Sequence, residues 1–128
     1  MSDPKTALII DDDADIREVL RVMLESRGFQ VDNLSDGIDA VDLKKWYDVI
    51  LLDLKMPVFD GRHLTDYWQL TNPDILRRVI VLSGYSRMTM DKEPSTFARL
   101  EKPFDYKTVM KVVDECIAST RKAEESHV

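Results

Sequence analysis

Four short runs in this chain, three of them wholly apolar, are each followed by a residue that can handle charge. Ala7–Ile10 runs into Asp11 and Asp12, Val49–Leu52 into Asp53, Val79–Leu82 into Ser83, and the mixed run Ala98–Leu100 is followed by Lys102 and Pro103. The three apolar runs are built from Ala, Val, Ile and Leu without a polar break, as in strands of a parallel sheet covered on both faces. Phe29-Gln30-Val31-Asp32 alternates instead, the pattern of an edge strand, and Ala98–Leu100 suits the opposite edge. In an open parallel sheet, ligands bind outside the carboxyl ends of the strands. Groups far apart in sequence then converge on one site.

Helical spacing fills the gaps. Ile16, Val19, Leu20, Met23 and Leu24 form a stripe that ends near Gly28, and Tyr106, Val109, Met110, Val113 and Ile117 form another, opened by Asp105 as N-cap. Ile38–Lys45 and His63–Leu70 are further helical segments. This alternation predicts an α/β fold, a doubly wound three-layer sandwich with room for five strands and five helices. At 128 residues the chain is the size of one domain. Residues 1–119 are expected to form it, with the polar stretch 120–128 as a fraying helix end, a tail or a linker stub.

Composition narrows the function. With 44% hydrophobic and 33% charged residues, and apolar runs of at most four, the chain reads as a globular protein of the cytoplasm with no membrane span and no signal peptide. A net charge of −6 disfavours nucleic-acid binding. The one cysteine, Cys116, has no internal disulfide partner and reads as a small apolar residue on a helix.

Asp11, Asp12 and Asp13 could be a solvated loop or a helix-capping cluster. Directly after a buried strand, however, crowded carboxylates repel unless a cation neutralises them. If Asp53, at the end of a second strand, lies beside the first, three carboxylates, Asp11, Asp12 and Asp53, share a pocket whose oxygen-only donors suit Mg²⁺. A carboxylate can itself attack phosphorus when positive charge offsets the phosphoryl oxygens, which makes Asp53 the candidate nucleophile. Lys102 would supply a compact positive charge and Ser83 a hydroxyl; singly, they read equally as a surface lysine and a turn serine.

Together these residues resemble the receiver domain of two-component response regulators. The acidic pair Asp11-Asp12, the stretch Asp53-Leu54-Lys55-Met56-Pro57 followed by Asp60-Gly61, the hydroxyl of Ser83 and the run Lys102-Pro103-Phe104 match the family in order, over roughly residues 6 to 119. The resemblance implies a (βα)5 fold with strand order 2-1-3-4-5 and a cis peptide before Pro103. It implies Mg²⁺ held by Asp12, Asp53 and the backbone carbonyl of Lys55, with Asp11 helping through water. It also implies phosphoryl transfer to Asp53 from a histidine kinase or histidine phosphotransfer protein, and a downstream protein partner or fused output domain. Apart from taking up and losing its own phosphoryl group, such a domain is not an enzyme.

Two departures stand out. The family usually carries an aromatic residue three positions before the lysine, and Arg99 stands there. A guanidinium is not readily buried unpaired, so Arg99 is expected to point outward toward an acidic residue, and strand alternation puts Phe97 on its side. Switching would then depend on reordering the segment from Ser83 to Pro94, where Pro94 interrupts the expected fourth helix. Met88, Met90, Trp46, Tyr47 and Trp68 read as core or core-capping residues rather than a partner surface. Two other functions compete: a degenerate receiver used as a binding module, and a phosphatase of the haloacid dehalogenase type. The phosphatase needs a second aspartate two residues after the nucleophile, where this chain has Lys55.

Overall fold

A computed structural model of the chain describes residues 5–43, 45–55, 61–84 and 96–125, the last four of these by their backbone only. The apolar runs become β1 (Thr6–Ile10), β3 (Val49–Asp53) and β4 (Val79–Ser83), flanked by β2 (Gln30–Leu34) and β5 (Ala98–Glu101). All neighbours are parallel, in the order β2-β1-β3-β4-β5. Every residue of β3 is buried, whereas β2 has no fully buried residue, which explains why one reads as continuous apolar sequence and the other as alternation.

The central strands bury both faces, so two separate cores form. Ala7, Ile9, Val49, Leu51, Ile80, Leu82 and Leu100 meet α1 (Ala14–Glu25) and α3 (Tyr106–Glu125) on one side. Leu8, Ile10, Ile50, Leu52, Val79 and Val81 meet α2 (Gly61–Thr71) and the 3-10 segment Pro73–Arg78 on the other. Trp68 of α2 is fully buried there, at about 2 kcal/mol or more for a side chain of this size. Asp13 caps α1 by accepting from the N–H groups of Asp15 and Ile16, and Gly28, at φ +87°, takes the left-handed conformation that turns the chain into β2. Asp105 caps α3 as its spacing predicts, accepting from the Thr108 N–H at 2.8 Å.

Some expectations need correction. Ile38–Lys45 is not an α-helix: one 3-10 turn, Ile38–Ala40, is followed by turns, and Lys44 lies outside the described residues. Ala40, Val41 and Leu43 face the core and Ile38 is half exposed, but the N–H groups of Ala40 and Val41 bond the carbonyls of Gly37 and Ile38, three residues back, which is 3-10 rather than α geometry. β2 starts at Gln30 and leaves Phe29 in the α1-side core. Trp46 is 57% exposed, its ring stacked 3.6 Å from the Arg78 guanidinium carbon, and so does not cap the core, although Tyr47 does. α3 runs on to Glu125, through polar sequence that composition alone leaves open. Cys116 is buried and free, and burial pushes its thiol up to about 12. Met88, Met90, Pro94 and the expected fourth helix lie outside the described residues. No described helix is long and apolar enough to cross a membrane.

Candidate functional site

Each site residue is carried to the carboxyl edge of the sheet by its strand. β1 delivers Asp11 and Asp12, β3 delivers Asp53, β4 delivers Ser83, and Lys102 follows β5 before the cis peptide to Pro103. Asp11 is fully buried: its Oδ1 accepts from the Asp13 N–H at 2.9 Å, and its backbone carbonyl accepts from Arg17 at 2.7 Å. Thus Asp13 is the capping residue of the triplet, and Asp11 turns into the site.

Asp11, Asp12 and Asp53 each offer an oxygen within 4.8 Å of the others. Lys102 reaches into them, with Nζ 2.9 Å from Asp11 Oδ2 and 3.5 Å from Asp53 Oδ2. Three carboxylates and one ammonium leave a charge of −3 + 1 = −2 in one partly buried pocket. The contact with Asp11 Oδ2 is an ion pair without hydrogen-bond alignment, so this buried oxygen keeps acceptor capacity. A divalent cation with hard-oxygen preference fits both the charge and the donors.

Electrostatics agree. Burial, then the charge of Asp11, raises Asp53 from the ordinary carboxylate value to about 6, while the Lys55 N–H, donating to Asp53 Oδ1 at 3.1 Å, and Lys102 work against the shift. Burial disfavours the Lys102 ammonium, yet its contacts with Asp11 and Asp53 outweigh this and raise it overall. The Asp53 carboxyl group is therefore held in a place that resists negative charge, which an added cation would offset.

Gly61 closes the loop after Asp53. Its N–H bonds the Leu54 carbonyl at 2.9 Å, and a Cβ there would stand 2.4 Å from the Asp53 carbonyl oxygen and 2.8 Å from Leu54 Cα. Only glycine lets the start of α2 come this close to the end of β3. Met56, Pro57 and Asp60 of the same motif lie outside the described residues.

Ser83 follows Leu82, the register partner of Asp53. It is held by the chain around β5 at two atoms. The Lys102 N–H donates to its carbonyl at 2.8 Å, and Arg99 Nε donates to its Oγ at 2.8 Å. This corrects the outward orientation expected for Arg99. Arg99 pairs with Val81 in register, so it rises from the same sheet face as Ser83, two residues earlier, and a long side chain spans that step. Phe97 does not share that face: it sits in a bend before β5 and packs with the α1-side core.

A family model described as "Response regulator receiver domain" matches residues 7–114. "Sporulation initiation phosphotransferase F" of Bacillus subtilis (strain 168) is 32% identical over 103 residues, 77% of this chain and 82% of that protein. The C4-dicarboxylate transport transcriptional regulatory protein DctD of Pseudomonas aeruginosa is 33% identical over 102 residues, 76% of this chain but only 22% of that protein. The response regulator protein TrrA of Thermotoga maritima, solved in complex with Mg(2+)-BeF, superposes with a TM-score of 0.78 at 25% identity, covering 88% of this chain and 98% of that one.

Proposed function

We propose, from the premise that this chain belongs to the response regulator receiver domain family, that Asp53 is its phospho-acceptor and that Lys102 and Ser83 assist the transfer. Receiver domains act in phosphorylation-dependent two-component signalling, and this chain is one of them. The observation that carries the assignment is the strand-end pocket of charge −2, in which one ammonium lies against both Asp11 and Asp53. A carboxylate oxygen of Asp53 attacks the phosphorus of a phosphohistidine on a histidine kinase or histidine phosphotransfer protein. The new O–P bond forms as the P–N bond breaks, and the imidazole leaves with the electron pair. Lys102 offsets charge on the phosphoryl oxygens, and the Ser83 hydroxyl donates to one of them.

Mg²⁺ held by Asp11, Asp12, Asp53 and the Lys55 carbonyl would neutralise phosphoryl charge when bound. Hydrolysis of the acyl phosphate by the same site resets the domain, with no other substrate involved. Residues 1–119 are the receiver, and the polar stretch 120–128 is a helix end, a tail or a linker stub. The signal passes, in the cytoplasm, to a downstream protein partner or a fused output domain.

Incubation with acetyl phosphate and Mg²⁺ tests the reading by intact mass. The wild type should gain one phosphate and Asp53→Asn none. A wild type that gains nothing is a degenerate receiver, and a gain that persists in Asp53→Asn places the acceptor elsewhere.

A further inference from the structure

Arg99 holds Ser83, the residue that ends β4, the strand beside Asp53's. Its Nε donates to Ser83 Oγ at 2.8 Å, and the backbone of the same serine is fixed by the Lys102 N–H at 2.8 Å. A serine hydroxyl has one proton to give and two lone pairs to receive with. When Arg99 fills a lone pair, the proton cannot point toward the guanidinium and is left for an acceptor elsewhere. Ser83 ends the strand beside β3 and lies one residue beyond the register partner of Asp53, so that acceptor includes an oxygen on a phosphoryl group carried by Asp53. We propose that Arg99 is a positioning residue: through its Nε–H it orients the Ser83 hydroxyl as a donor to the phosphoryl group. The inference rests on Asp53 as acceptor and adds a residue to that same site.

The charge of the guanidinium strengthens the hydrogen bond and polarises the serine O–H, making it a better donor to an anion. The donor's position matters more than the charge. Nε is the fourth atom out from Cα, and the partner lies two residues along the neighbouring strand, so a donor one bond longer or shorter misses Oγ. This gives three variants of different character. Arg99→Met puts a methyl group where Nε was. Arg99→Lys keeps the positive charge but puts a methylene there. Arg99→Gln removes the charge but places its amide nitrogen at that position, with its N–H available.

The readout is the affinity for beryllofluoride, a phosphoryl mimic, with saturating Mg²⁺, together with the rate of phosphorylation by acetyl phosphate. Arg99→Met should bind the mimic about threefold to tenfold more weakly, the scale of one oriented hydrogen bond. Arg99→Gln should recover most of that loss, and Arg99→Lys should recover little. In a Ser83→Ala background, all three should bind alike, because the hydroxyl through which Arg99 acts is gone. Thermal melts of each variant separate a general loss of fold from a loss at the site, and the comparison of Gln with Lys stands even where Met is destabilised. Arg99→Met with unchanged affinity, or Lys equalling wild type while Gln behaves as Met, overturns the proposal. So does a full effect of Arg99→Met without Ser83. A wild type that takes up neither phosphate nor beryllofluoride overturns the acceptor assignment instead.

Discussion

Asp48, just before β3, and Asp53, at its end, are five residues apart in sequence and live under opposite rules. Asp48 Oδ2 accepts from the Thr6 N–H at 2.8 Å and from the Thr6 hydroxyl at 3.3 Å, so this carboxylate ties β1 to β3. Asp32, on the edge strand β2, is served likewise by the Tyr47 hydroxyl and Lys45, and its carboxyl is held below the ordinary value. Asp53 receives one backbone donor and a lysine shared with Asp11, and it is pushed up to about 6. The carboxylates that serve structure have been given donors. Those at the opposite end of the sheet have been given one another, and the energy this costs is recovered only when a cation binds.

The contrast is best tested where it is tightest. Gly61→Ala forces a methyl group to within 2.4 Å of the Asp53 carbonyl oxygen, against backbone that cannot turn away as a side chain can. A loss of about 3 kcal/mol in urea unfolding is expected, at the upper end for overpacking. A variant as stable as wild type would mean that α2 can draw back and that the end of β3 is not fixed by it.

Asp48→Ala should cost less, about 1–3 kcal/mol, because it strands the Thr6 N–H at a partly buried position. The stabilisation of the fold by Mg²⁺ should survive intact in this variant. If it vanished, the two ends of the sheet would be coupled and the division drawn between them would fail.

Much of the molecule is legible without coordinates. Continuous apolar sequence marks β1, β3 and β4, because burial on both faces leaves no place for polar residues, and the polar residue at the end of each strand marks the site. The segment after β2 misleads because Ala40, Val41 and Leu43 suit a helix in composition and in burial, while the bonds formed there are a single 3-10 turn that does not continue as an α-helix. Arg99 misleads for a different reason. An arginine on a strand says nothing about which polar group lies within its reach; that depends on the register Val81↔Arg99, which is a property of two strands. A faint signal is present in the sequence, since once β4 and β5 are paired, Ser83 and Arg99 fall on one face two residues apart.

The smallest effect discriminates best. In metal-free buffer, Asp53 takes up a proton near pH 6 when folded and near 3.8 when unfolded, so protonation favours the fold. That stability is complete below the unfolded value and is lost as pH rises through about 6. Between pH 5 and 8, then, the melting temperature in a chelator should fall as pH rises, and saturating Mg²⁺ should flatten or reverse the trend by favouring the ionised carboxylate. Asp12, exposed and close to both partners, contributes repulsion without a hydrogen bond that the fold needs. Asp12→Ala should therefore raise stability in the chelator slightly, by less than about 1 kcal/mol, because one repelling charge is gone. The same variant should lose most of the Mg²⁺-induced shift, which for wild type at ten times Kd is about 1.4 kcal/mol. Opposite signs in the two buffers would come from one side chain, as only a metal ligand held among like charges can give. Destabilisation in both buffers would make Asp12 an ordinary structural carboxylate, of the kind found at Asp48.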